Sequence, residues 1–207
     1  NLTYNVIIFE FEKYIMNFVP KEDVKNYPLI EFKGNIHVVD TSSSLIDSCQ
    51  ILSKTKIIGF DTETKPAFKK GVSHPISLLQ LSAGNNVFLF RINKIGFDKK
   101  IIDILCDSNI LKVGIDIKND LLGLKKIKQF KDSNFLDLNS LAIKKGFKSI
   151  GAVKLSIMLL GYRISKQQRL SDWSVNQLTK FQLSYAAIDA WICPKILEAF
   201  QEKLLYP

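Results

Sequence analysis

The chain has 207 residues, enough for one domain with at most a small addition, and 46% of them are hydrophobic, enough to fill a core. No apolar run reaches the roughly 18 residues of a membrane span. Cys49, Cys106 and Cys193 stand too far apart for a disulfide framework or a zinc ribbon, so a reduced, cytoplasmic protein with neither a membrane nor a disulfide-linked partner is expected. The net charge of +9 favours an anionic partner, although the plentiful Lys, Ile, Asn and Phe are equally what AT-rich coding produces.

Residues 1–15 precede Met16 and lack a basic start, and Glu10 and Glu12 interrupt their apolar run, so they do not read as a signal peptide. Met16 is expected to be the natural start and the leader to lie outside the core. Residues 20–28 read as a short helix that stops before Pro28 and packs outside the domain. Residues 1–33 are thus expected to form an N-terminal extension and 34–207 the domain.

Within the domain a strand over Gly34–Asp40 precedes a helix capped within 41–44 and running to about Leu52. Strands near 56–62, 76–82 and 87–91, joined by polar turns such as 83–86, predict an antiparallel meander. Helical patterns at 101–106, 121–127 and 138–145 then alternate with short strands near 111–115 and 134–136. An α/β fold with a mixed sheet flanked by helices follows. Ser174 with Gln177 and Thr179 with Gln182 both match capping-box spacing. A last helix is expected after Thr179, with Ile188, Trp191, Ile192 and Ile196 on its buried side and a kink after Asp189 imposed by Pro194.

Three places carry acids that invite chemistry. Asp61-Thr62-Glu63 follows the apolar run Lys56–Phe60, and a strand there sets both carboxylates on one face. Such a pair attracts a hard divalent cation, although a solvated strand end has the same pattern. Asp120 lies in the first turn of a helix that begins near Ile117; it reads as a favourable charge at a helix start, with Asp116 the better candidate for the N-cap. Tyr185 and Asp189 are four apart on a helix, where a phenol and a carboxylate converge unless the ring packs in the core and the acid is solvated.

Taken in order, Phe60-Asp61-Thr62-Glu63-Thr64, Val113-Gly114 with Asp120 beyond, and Tyr185-x-x-x-Asp189 resemble the DEDDy branch of the DnaQ-like 3′-5′ exonucleases, which contains ribonuclease D and the Werner syndrome exonuclease domain. Ile76–Leu81, Ser171-Asp172-Trp173-Ser174 and Leu178-Thr179 look similar too, so the resemblance spans roughly residues 35–205. It implies a ribonuclease-H-like mixed five-stranded sheet flanked by helices. It also implies metal-dependent hydrolysis of terminal phosphodiesters, releasing 5′-mononucleotides. Asp61, Glu63, Asp120 and Asp189 would hold two Mg2+ or Mn2+ ions about 3.5–4 Å apart, with Asp61 bridging them, while the Tyr185 hydroxyl orients the attacking water.

By the same resemblance, Thr62 and Leu79 would contact the terminal nucleotide. Lys65, Lys69, Lys70, Lys166 and Arg169 are candidates for phosphate contacts. Trp173 would either stack a base or sit in the core, and His74 reads as an ordinary loop residue. The expected substrate is a single-stranded or recessed 3′ end, DNA in preference to RNA. With about 18 residues after Asp189 and no polymerase or helicase sequence in the 207, neither those contexts nor the C-terminal helical module of ribonuclease D is expected. Two rivals remain: a catalytically silent nucleic-acid-binding module of the same fold, and a metal enzyme acting on a small phosphate ester.

Overall fold

The computed structural model describes residues 16–205; the leader 1–15, expected to sit outside the core, lies outside the described residues. Strand alternation organises the centre of the molecule. In β2 (Ile57–Thr64), Ile58 and Phe60 enter one apolar cluster, while Gly59, Asp61 and Glu63 face the opposite way. β3 (Ile76–Ala83) is buried along its whole length because both its faces are covered. Leu79 and Leu81 join Phe60, whereas Leu78 packs with Trp173 and Tyr185. β4 (Asn86–Phe90) returns after the two-residue turn Gly84-Asn85, which Gly84 makes possible at φ 57.

β2, β3 and β4 form the expected antiparallel meander. β1 (Asn35–Val39) pairs in parallel with β4, and β5 (Leu111–Gly114) in parallel with β2. The sheet has six strands where the resemblance implied five; the short strand read near 134–136 is the three-residue β6 (Phe135–Asp137), a parallel edge on β5. The order is β1-β4-β3-β2-β5-β6.

Helices cover both faces of this mixed sheet. α1 (Ser42–Leu52), α3 (Lys99–Cys106) and α4 (Lys118–Ile127) lie over Phe60, with the four-residue α2 (Ile92–Ile95) leading into α3. α5 (Leu138–Lys144), α6 (Ala152–Leu160) and the long α7 (Lys180–Leu205) lie over the other face. Thr41 and Ser44 close a reciprocal capping box on α1, and Thr179 with Gln182 does the same for α7. Pro194 lies inside α7, which continues through it. The residues of the 3-10 helix Glu22–Asn26 are all at least partly exposed, but Val19 just before it is fully buried against α6 and α7. No helix among the described residues is long and apolar enough to cross a membrane.

Candidate active site

The carboxylate end of β2 owes its shape to two local features. Asp61 pairs with Gln80 and Glu63 with Leu78 across the ladder, and a bulge between Glu63 and Thr64 ends the regular register. A bulge bends a strand and re-aims its side chains. α7 crosses this face and brings Asp189 to the two strand acids, so that one carboxylate oxygen from each of Asp61, Glu63 and Asp189 lies within 4.8 Å of the others. Tyr185, one turn earlier, is buried, and its ring tilts against Trp173 with the centroids 5.8 Å apart.

Asp120 reaches the same strand end from the opposite layer. α4 starts after Asp116, which sits in the left-handed region at φ 61, a conformation Asp tolerates better than most residues. Asp116 is not the cap: Ile117 occupies the N-cap position, and its N–H donates to Asp137 Oδ2 at 3.0 Å. The other oxygen of Asp137 caps α5 through Ser140 N at 2.8 Å. Asp137 thereby fixes two helix starts at once, a role that its residue type and spacing did not announce. The first turn of α4 then carries Asp120 to Thr62, whose hydroxyl donates to the carboxylate.

Crowding these acids is electrostatically costly. Burial, then the charges of Asp189, Asp120 and Glu63, push Asp61 well above the ordinary carboxylate range. Glu63 rises to about 8, again through burial first and Asp189 second. Burial lifts Asp120 and Asp189 to about 6 each, while the Thr62 hydroxyl restrains the first and the Lys166 charge the second. Tyr185 is pushed up by burial and then by Asp189 and Glu63, so its hydroxyl stays protonated at neutral pH.

The donor set fits a divalent cation. Oxygen ligands of full negative charge suit Mg2+ or Mn2+. Asp189 Oδ1 is buried with no hydrogen-bond partner among the described residues, which leaves it free to coordinate. A positive ion in this triad turns mutual repulsion into ligation.

Two cavities meet at the strand end. The first, about 450 Å³, contains Asp61, Glu63, Tyr185 and Asp189 together with Lys166 and Arg169. The second, about 830 Å³, lies on the Asp120 side and includes His74 and Lys126; Thr62 and Glu63 line both. Lys166 and Arg169 thus line the same cavity as the acids. Gly151 and Lys154, at the start of α6, also line the first cavity and were not anticipated from sequence. Gly151 before the apolar run 152–160 was the available signal.

Other substrate expectations need correction. Leu79 is fully buried in the cluster beneath α1, α3 and α4, on the face of β3 away from the carboxylates, so it cannot touch a nucleotide. The Thr62 hydroxyl is engaged by the Asp120 carboxylate. Lys65 pairs with Asp172 at 2.9 Å, and Ser174 and then Lys65 hold that carboxyl down to about 2. Trp173 is fully buried and is a core residue.

A six-stranded mixed sheet between helical layers, with acids from β2 and α7 converging beside a buried tyrosine, defines a nuclease of ribonuclease-H-like architecture. A family model described as 3′-5′ exonuclease matches residues 36–205, and the chain belongs to that family. It is 28% identical over 193 residues to an Arabidopsis thaliana 3′-5′ exonuclease, covering 84% of this chain and 67% of the plant protein. It is 30% identical over 179 residues to the mouse bifunctional 3′-5′ exonuclease/ATP-dependent helicase WRN, covering 80% of this chain but only 13% of that protein. Among solved structures, the Nibbler EXO domain of Aedes aegypti superposes with a TM-score of 0.78 at 21% identity, over 87% of this chain and 93% of that one. Escherichia coli RNase D, an exoribonuclease involved in structured RNA processing, gives a TM-score of 0.74 at 24% identity, over 83% and 46%. The protein is a metal-dependent 3′-5′ exonuclease in class.

Proposed function

We propose that the chain removes nucleotides one at a time from single-stranded or recessed 3′ ends, with Asp61, Glu63 and Asp189 holding one divalent cation and Asp61 with Asp120 a second. The meeting of three carboxylates within 4.8 Å beside the protonated Tyr185 carries this reading. Two bound cations supply the charge that stabilises the attacking and departing oxygens of an in-line displacement. The remaining work falls to the chain. The Tyr185 hydroxyl orients the attacking water and does not abstract its proton, because its raised pKa keeps it protonated at neutral pH. Lys166 and Arg169, on the wall facing the acids, meet the phosphates of the strand.

DNA in preference to RNA is part of the proposal. The test is digestion of 5′-labelled single-stranded DNA, recessed duplex DNA and RNA with Mg2+ or Mn2+, beside the Asp61→Ala/Glu63→Ala variant. A metal-dependent ladder shortening from the 3′ end, absent in the variant and strongest on DNA, is expected. Binding of oligonucleotides without any ladder points to a silent binding module. Turnover of a small phosphate ester that oligonucleotides fail to inhibit at low salt points to the small-ester reading.

A further inference from the structure

α7 meets the sheet backbone to backbone at one point on its carboxylate-bearing face. A Cβ at Gly59 would stand 1.9 Å from the carbonyl oxygen of Ala190 and 2.3 Å from Ser82 Oγ, so only glycine admits the helix there. Ser82, opposite Gly59 in the ladder and 1% exposed, links the two. Its Oγ accepts the Gly59 N–H at 3.1 Å and donates to the Ala190 carbonyl at 3.1 Å.

That carbonyl has no ordinary helical partner. In an uninterrupted helix it accepts the N–H of the residue four further on, which here is Pro194, with no N–H and a ring that crowds the same oxygen. A buried acceptor left empty is costly, and Ser82 fills the vacancy from a different element. The link is anchored one residue after Asp189 and two before Asp61.

We propose that Ser82 is a positioning residue for the metal site. The chain Gly59–Ser82–Ala190, opened to Ser82 by Pro194, sets the spacing of Asp189 from Asp61 and Glu63 and hence the affinity for the cation. The inference rests on the function proposed above. Its rival is plain satisfaction of a carbonyl, as Ser156 satisfies the part-buried one of Tyr162 at 2.8 Å outside the cavity lining.

The experiment measures Mn2+ affinity by calorimetry, the melting temperature of metal-free protein, and the Mg2+ dependence of hydrolysis. Ser82→Ala is expected to weaken Mn2+ binding about 10-fold and to raise the Mg2+ needed for half-maximal rate, with the rate at saturating metal much less affected. Ser156→Ala is expected to lower the melting temperature without changing Mn2+ affinity. Pro194→Ala returns an N–H to position 194. In Ser82→Ala/Pro194→Ala the melting temperature is therefore expected to recover while Mn2+ affinity stays weak, because the carbonyl is satisfied but the helix is no longer tied to β2 and β3. Unchanged Mn2+ affinity in Ser82→Ala, or its recovery in the double variant, overturns the proposal while leaving the nuclease reading intact. A wild-type chain that binds no Mn2+ and cuts no polymer removes both. Should Ser82→Ala fail to fold, Ser82→Cys keeps the shape with a weaker donor and gives the same comparison.

Discussion

Tyr185→Phe removes one oxygen from a ring already held by Trp173, so the fold is expected to tolerate it. Turnover should fall roughly 10- to 100-fold with Mn2+ affinity nearly unchanged; an undiminished rate would refute the positioning role. Leu79→Ala discriminates in the other direction. Its side chain is fully buried, so unfolding titration should show a loss of roughly 2–5 kcal/mol, while KM for an oligonucleotide stays as in the wild type. At this scale the acids were legible in the sequence because strand and helix periods place them: Asp61 and Glu63 two apart, Tyr185 and Asp189 four apart. Leu79 was misread because the same alternation turns it away from Asp61, Glu63 and Asp189, into the cluster that contains Phe60 and Leu124.

The segment between Arg163 and Thr179 has little regular structure yet carries Lys166 and Arg169, and it is held by side chains from elsewhere. Arg91, 1% exposed, donates through Nη1 to Asn176 O at 3.3 Å and through Nη2 to Val175 O. Asn93 reaches Ser174 O at 3.1 Å, and Gln182 from the first turn of α7 reaches Asp172 O at 3.1 Å. Arg91→Ala is expected to loosen this segment and raise KM for oligonucleotides several-fold, with kcat less affected; steady-state kinetics read the split. Capping-box spacing at Ser174 opens no helix, since Ser174 N and Oγ both bond to the Asp172 carboxylate, at 2.8 and 2.5 Å. A local side-chain turn outcompetes helix initiation there. β6 falls where a short strand was read near 134–136, so the count of five came from the resemblance and not from the residues, and β2 through β4 were plain from long apolar runs and a glycine turn.

For the whole molecule the acid cluster couples stability to pH and metal. Carboxyls whose pKa is raised by folding favour the folded state when protonated, so their contribution is fully present below the ordinary values of 3.8 and 4.5 and is lost as pH climbs through about 6 for Asp120 and Asp189 and about 8 for Glu63. Metal-free protein should therefore lose melting temperature between about pH 4 and pH 8 through these groups. Mg2+ or Mn2+ should restore it most at the alkaline end, where ligands bind without first releasing protons. Calorimetric scans across that range, with metal and with chelator, read both trends. A melting temperature indifferent to metal at pH 8 would contradict the ligand assignment.

Asp189 arrives at the end of β2 from one helical layer and Asp120 from the other. A partly folded chain with a single layer seated thus lacks part of its acid set and is expected to be inactive until both layers have docked. During refolding, recovery of hydrolysis should lag behind the burial of the first layer to dock and coincide with that of the second.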